Sequence, residues 1–181
     1  VVFGRAAGLH ITDALTQGMD SGEASDSDLE ASMARLNRWD NSKGDGESPA
    51  MLKKELQQCM QLNFGVFRKE APMQEGIKKL EELRERIEKA SLNDDSRAFN
   101  TARLEALELD NLLEIAEATA VSAAGRRESR GAHARDDFQT RDDENWLCHS
   151  IFDPNTKTLG KRDVNFDPKT VPTFEPMERT Y

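Results

Sequence analysis

Between Pro72 and Ala90 the apolar residues Met73, Ile77, Leu80, Leu83 and Ile87 recur at spacings of three and four, the period of one helix face. Glu75, Glu82 and Glu85 each stand four residues ahead of a base, Lys79, Arg86 and Lys89, an order that supports a solvated opposite face. A helix so sharply two-sided has to bury its stripe against neighbours. The flanking segments supply them.

Upstream, Ser48-Pro49 offers a cap residue followed by proline at the first helical position, where its missing N–H costs nothing. The helix that follows carries Leu52, Leu56, Cys59, Met60 and Phe67 on one face and is expected to end before Pro72. Downstream, Ser91 to Arg97 reads as a turn, and Asn100 caps a long helix with Phe99 and Leu104 placed as a hydrophobic staple. Leu104, Leu107, Leu112, Ile115, Ala116, Ala120 and Ala123 carry it to about Gly125, some 36 Å at 1.5 Å per residue. Short loops favour antiparallel neighbours, so residues 48–125 predict an up-down-up bundle.

A further helix is predicted from Ser27-Asp28-Leu29-Glu30, which matches a capping box, with Leu29, Met33 and Leu36 as its apolar face beside the bundle. Asn41-Ser42-Lys43-Gly44-Asp45-Gly46 ends it in a turn, since no Gly-Lys-Ser/Thr follows to make a phosphate loop. Residues 1–17 read as a helix rich in small side chains, in which Gly4 and Gly8 predict close packing against a neighbour. Its apolar run is interrupted by Arg5 and His10 and is far shorter than the roughly 20 residues a bilayer requires. The Gly-, Ser- and acid-rich stretch from Gly18 to Asp26 marks a domain boundary.

The formal charge of −9 argues against nonspecific binding to nucleic acid or anionic lipid. Cys59 and Cys148 have no Cys-x-x-Cys partner, which predicts reduced thiols rather than a disulfide framework or zinc site. His149 beside Cys148 offers at most two metal ligands and reads as strand alternation.

From Arg126 to the end only about a dozen large apolar side chains serve 56 residues, too few to offset the entropy of ordering them, so this tail is expected to dock on a host. Trp146 to Phe152 and Lys157 to Phe166 flank Asp153-Pro154-Asn155-Thr156 as a hairpin. Pro168, Pro172 and Pro176 predict an extended strap. Between Arg126 and Asp143, five arginines alternate with five acids, a pattern suited to pairing rather than to a nucleic-acid stripe. Arg130, His133 and Arg135 are the candidate interface residues, because guanidinium forks beside acids suit interdomain pairing.

The block Glu128-Ser129-Arg130-Gly131-Ala132-His133-Ala134-Arg135-Asp136-Asp137, then Arg141-Asp142-Asp143-Glu144-Asn145-Trp146 and the ending Arg179-Thr180-Tyr181, resembles the C-terminal part of the succinate dehydrogenase flavoprotein family, which is related to fumarate reductase and aspartate oxidase. The likeness continues through Val2-Phe3-Gly4-Arg5-Ala6-Ala7-Gly8, Phe99-Asn100-Thr101 and Leu107-Glu108-Leu109-Asp110-Asn111. It implies that Val1 is an interior position of a longer protein, one that oxidises succinate to fumarate through FAD and passes electrons to an iron-sulfur subunit. Membrane anchor subunits would hold the complex at the cytoplasmic face of a bacterial inner membrane, or on the matrix side in a mitochondrion.

The flavin fingerprint, the flavin-linking histidine and the dicarboxylate-binding residues of that family all fall outside this segment, and no Gly-x-Gly-x-x-Gly occurs in it. No cofactor, metal or catalytic residue is therefore expected on this chain. The expected class is all-α: an antiparallel three-helix bundle of the spectrin-repeat kind, with an added N-terminal helix and a C-terminal hairpin and extended tail. The expected domains are residues 1–17, the closing helix of a flavin-binding domain; 18–125, the bundle; and 126–181, the extension. Its partners would be the flavin-binding domain, the iron-sulfur subunit and, indirectly, the anchors. The alternatives are a freestanding helical interaction module, or the corresponding part of fumarate reductase or aspartate oxidase.

Overall fold

The computed structural model describes residues 1–20, 22–168 and 172–177. Among them the chain is mostly helical, with six helices and a small hairpin. Its contacts divide it into two compact units, Val1–Arg38 and Trp39–Tyr181.

The first unit holds α1 (Val2–Thr16) and most of α2 (Asp26–Asp40). No residue of α1 is buried, and a Cβ on Gly4 or Gly8 would meet nothing within 4 Å, so the close packing expected of these glycines is not found among the described residues. The start of α2 is capped by a different box from the expected one. Ser25 Oγ accepts the Asp28 N–H at 3.2 Å and an Asp28 carboxylate oxygen accepts the Ser25 N–H at 3.1 Å, so the helix begins earlier than Ser27. Leu29, Met33 and Leu36 are exposed rather than buried. Trp39, which belongs to the second unit, is 1% exposed, and its indole N–H donates to Asp110 at 2.9 Å.

The core of the second unit is built by α3 (Pro49–Phe64), α4 (Glu70–Glu88) and α5 (Thr101–Gly125), each packed against the other two. Arg86, near the end of α4, binds Glu47 just before α3 and Glu55 in the second turn of α3, while the Cys59 thiol near the end of α3 donates to the Gly76 carbonyl near the start of α4. These two helices therefore run antiparallel. Lys53 and Glu108, both in early turns, pair at 3.2 Å between α3 and α5. The stripe Met73, Leu80, Leu83 and Ile87 is buried as expected, with Ile77 partly so. Glu75 pairs with Lys79, but Arg86 turns from Glu82 to Glu47 and Glu55.

Two boundaries, two helix-start contacts and one face differ from the expectation. First, α3 stops at Phe64, and Phe67 lies in the two-residue β1 (Phe67–Arg68) with its side chain exposed. Pro72 sits in the first turn of α4 rather than terminating α3, a position that needs no N–H donor. Although α3 does begin at Pro49, the Ser48 side chain makes no cap bond.

Asn100 caps α5 as predicted, accepting the Arg103 N–H at 2.7 Å, yet Phe99 and Leu104 are both exposed and form no staple. Phe99 adopts φ 54, which turns the chain away before the helix starts. The buried face of α5 is Ala106, Leu109, Leu113, Ala116, Ala120 and Ala123, so Leu104, Leu112 and Ile115 point outward. Small residues face inward because they let α5 lie close to its two partners.

After α5 come β2 (Ala134–Arg135), the short α6 (Asp143–Trp146), β3 (Cys148–Asp153) and β4 (Thr158–Asp163). β2 runs parallel to β1, with Arg68 opposite Arg135, while β3 and β4 form the antiparallel hairpin from Cys148↔Asp163 to Asp153↔Thr158. The hairpin docks on α5: Lys157 in its turn pairs with Glu117, and Leu159 packs against Gly125. In the strap, residues 172–177 carry neither helix nor strand, Phe174 is exposed, and Arg141 donates to the Met177 carbonyl at 2.7 Å. The closing Arg179-Thr180-Tyr181 lies outside the described residues.

Gly76 tests the α3–α4 contact. A Cβ there would lie 2.4 Å from Phe64 Cε2 and 2.6 Å from Asn63 Cβ. Overpacking of this kind costs about 1–3 kcal/mol and outweighs the gain in helix propensity from alanine. Gly76→Ala is expected to lower the urea midpoint, whereas Gly4→Ala, with nothing to meet, is expected to leave it unchanged or raise it.

Candidate functional site: an arginine-lined cleft on a buried ion network

Where α5 ends at Gly125 the chain turns extended at Arg126, and four last-turn carbonyls of a helix need partners. Arg135 answers two of them. Its Nη1 donates to the carbonyls of Ala124 (3.2 Å), Ala123 (3.3 Å) and Arg126 (3.4 Å), placing a cation at the negative end of α5. The same guanidinium grips Asp137 bidentately at 2.7 and 2.8 Å, reaches Glu70 at 2.8 Å, and stacks 5.0 Å from the Phe138 ring centroid. One fully buried side chain thus joins the end of α5, the start of α4 and the strand that carries it. Hydrogen bonds from Arg135 hold Asp137 well below the usual carboxylate range, against a smaller opposing effect of burial.

Glu128, also fully buried, is the second hub. It accepts from Arg130 at 2.7 and 3.0 Å, from Arg126 at 2.5 Å and from the Asp142 amide at 2.8 Å. Burial alone would raise its carboxyl, but the bonds from Arg130, the Asp142 amide and Arg126 outweigh it and keep the carboxylate ionised. Arg130 also pairs with Asp143 at 2.5 Å. Arg126 donates in addition to the carbonyls of Trp146 and Cys148, and its guanidinium lies over the Trp146 ring.

Between the hubs, Arg130 and His133 close a tight turn by exchanging backbone hydrogen bonds at 2.9 and 3.0 Å, with Gly131 at φ 59 where a side chain would strain. His133 is fixed at both nitrogens. Arg68 can only donate, so Nδ1 accepts from its Nη1 at 2.7 Å; the Arg126 carbonyl can only accept, so Nε2 carries the hydrogen at 3.1 Å. The ring is the neutral Nε2–H tautomer. Burial pushes its pKa down, the bond to the Arg126 carbonyl opposes this, and Arg68, Arg135 and Arg126 push further down.

The three candidate residues therefore fall within one network but occupy different depths. Arg130 and His133 line an open cleft of about 750 Å³ together with Arg68, Arg126 and Ser150, while Arg135 is buried and does not line it. The sequence reading did not single out Glu128, Arg126, Arg68 or Glu70. The first two sit inside the run of alternating charges, and burial of Glu128 is what orders that run. Arg68 and Glu70 arrive from the α3–α4 connection, where no local pattern marks them.

Residues 53–181 match the family model described as fumarate reductase flavoprotein C-terminal region. The chain belongs to the succinate dehydrogenase/fumarate reductase flavoprotein family. It is 47% identical over 179 residues to the succinate dehydrogenase flavoprotein subunit of Coxiella burnetii, covering 99% of this chain and 30% of that protein. It is 32% identical to the fumarate reductase flavoprotein subunit of Haemophilus influenzae, again covering 30% of that protein. Among solved structures it matches E. coli quinol fumarate reductase with TM-score 0.77 and 36% identity, over 97% of this chain and 30% of that one. The chain thus spans about three-tenths of the length of these relatives.

Two measurements check the network. Removing Arg135 strips two acids of their cation and α5 of its cap; because Glu70 and Asp137 keep some exposure, Arg135→Met is expected to cost about 2 kcal/mol in urea unfolding, below the range for a fully buried pair. Arg135→Lys, lacking the planar fork, is expected to recover only part of it. A depressed histidine pKa means the unfolded chain binds the extra proton, so stability from His133 is full above about pH 6.5 and is lost as pH falls through the lower folded value. His133→Gln is expected to flatten the decline of thermal midpoint just below that pH; an unchanged slope would refute the assignment.

Proposed function

We propose that this chain is the helical and C-terminal part of a succinate dehydrogenase flavoprotein subunit, with a structural and interfacial role. The observation that carries this reading is the buried Glu128 and Arg135 network, which spends its charged side chains on joining elements rather than on reacting groups. The whole subunit would oxidise succinate to fumarate through FAD, pass electrons to an iron-sulfur subunit, and be held by membrane anchor subunits at the cytoplasmic face of a bacterial inner membrane or the matrix side in a mitochondrion. No helix among the described residues is long and apolar enough to cross a membrane. Fumarate reductase is the second reading, favoured by the matched family model and by the E. coli structure.

The residues present do not fit a flavin-nucleotide cradle. β1 leads into α4 through Lys69 with no glycine to admit a pyrophosphate, so no step is assigned to flavin on this chain.

In this reading α1 is the closing helix of the flavin-binding domain, residues 18–125 supply the helical domain and residues 126–181 the extension. The mutually packed α3, α4 and α5 act as an antiparallel three-helix bundle of the spectrin-repeat kind. The exposed Phe3, Leu9 and Leu15 of α1 suit a helix that belongs to a larger body. Arg130 and His133 serve the interdomain interface from the cleft wall, with Arg135 buried in the same network.

A chimera tests this assignment. The matching segment of the C. burnetii flavoprotein subunit is replaced by this chain and expressed with that organism's iron-sulfur subunit. The expected result is a flavin-loaded chimera with succinate-dependent dye reduction within an order of magnitude of the parent, and none from this chain alone. A soluble, flavin-loaded chimera without activity, or turnover by the lone chain, would overturn it.

A further inference from the structure

Net charge and local charge disagree at the cleft. The whole chain carries −9, yet among the described residues the side chains lining the cleft include Arg68, Arg126 and Arg130 and not one acid. Glu128 and Asp143, outside the lining, answer Arg126 and Arg130. Arg68 is left over. Its Nε donates to the Phe64 and Gly65 carbonyls and its Nη1 to the neutral His133 ring, and among the described residues no carboxylate pairs with it. Burial and the nearby Arg135 both lower its pKa, so an anion at its open edge would relieve a standing electrostatic cost.

Beside this cleft lies an apolar groove of about 480 Å³ between α3 and α5, walled by Leu56, Met60, Phe64, Leu112 and Ile115. The two depressions share Ile115 and Thr119, so they form one continuous surface. Ile115 is 67% exposed and Leu112 is 40% exposed, although both sit on the helix that forms the core. A small anion would satisfy Arg68 and leave this apolar surface wet. A polypeptide carrying a carboxylate next to apolar side chains covers both, and an open cleft admits a chain segment more readily than it encloses a small ligand.

We propose that the Arg68, Arg126 and Arg130 cleft and the adjoining Leu112 and Ile115 groove form one docking surface for a polypeptide segment that presents a carboxylate beside apolar side chains. The carboxylate pairs with the free edge of Arg68 under the Ser150 hydroxyl, and the flanking apolar side chains lie on Ile115 and Leu112. This deepens the interfacial reading above by naming the face and the chemistry of its partner.

The test uses this chain and a fluorescein-labelled peptide, acetylated and amidated, of sequence Leu-Ala-Glu-Leu-Ala-Leu, with a second peptide in which Gln replaces Glu. Anisotropy gives the affinities, and amide shifts of the isotope-labelled chain give the location. Binding of the Glu peptide is expected, with shifts centred on Arg68, Ile115, Thr119 and Ser150. The Gln peptide and the Arg68→Gln chain are each expected to bind about tenfold more weakly, and not additively, because each removes the same ion pair. Ile115→Ser, at an exposed position, is expected to weaken binding with the thermal midpoint unchanged, so the test survives if Arg68→Gln misfolds.

No binding of the Glu peptide, equal binding of the two peptides, or shifts confined to another face would overturn the proposal. Succinate or phosphate binding at the same residues as tightly as the peptide would also overturn it, in favour of a small-anion site. None of these readouts depends on succinate oxidation, so failure here and failure of the chimera are distinguishable.

Discussion

Two charges buried at the end of α5 hold this molecule's parts in register. Arg135 neutralises the open carbonyls of that helix while gripping Glu70 from α4 and Asp137 from its own strand. Glu128 gathers Arg126, Arg130 and the Asp142 amide, and so fixes the turn, the approach to α6 and the start of the hairpin. Buried ion pairs rarely add much net stability, since desolvation offsets the Coulomb gain, but a mispaired one costs several kcal/mol. Their effect here is to make alternative arrangements of the extension expensive.

The helices themselves are held by ordinary burial. Met73, Leu80, Leu83 and Ile87 of α4 meet Leu52 and Leu56 of α3 and the alanine-lined face of α5. That face permits close approach, and it also explains the outward turn of Leu112 and Ile115: with small residues committed to the core, the larger ones are free for a partner. The hairpin has little apolar area of its own and relies on Lys157 reaching the buried Glu117, on Leu159 seating over Gly125, and on Trp146 meeting the cations of Arg126 and Lys161.

Local signals in the sequence located what local physics decides. The stripe of α4, the Asn100 cap, the proline start of α3 and the hairpin about Asp153-Pro154-Asn155-Thr156 were all legible, because each rests on periodicity or on the needs of a single turn. The errors came where two choices were locally equal. Leu104, Leu112 and Ile115 carry the same helical period as Ala106, Leu109 and Leu113, and hydrophobic size favoured the wrong set. Pro72 reads as a stop in the sequence, whereas the break occurs at Gly65. The buried Trp39 and Arg68 as a wall of the cleft depend on partners some 70 and 65 residues away, which no short window displays. The alternation of charge from Arg126 to Asp143 announced pairing, but not which acid would be buried.

Hydrogen exchange on Glu128→Gln measures most directly whether the buried charges organise the extension. The account predicts a loss of amide protection from residues 126 to 163, with the protection of α3 and α4 retained, because the core helices bury their stripe without Glu128. Unchanged protection in the hairpin, or a uniform loss across α3, α4 and α5, would contradict it.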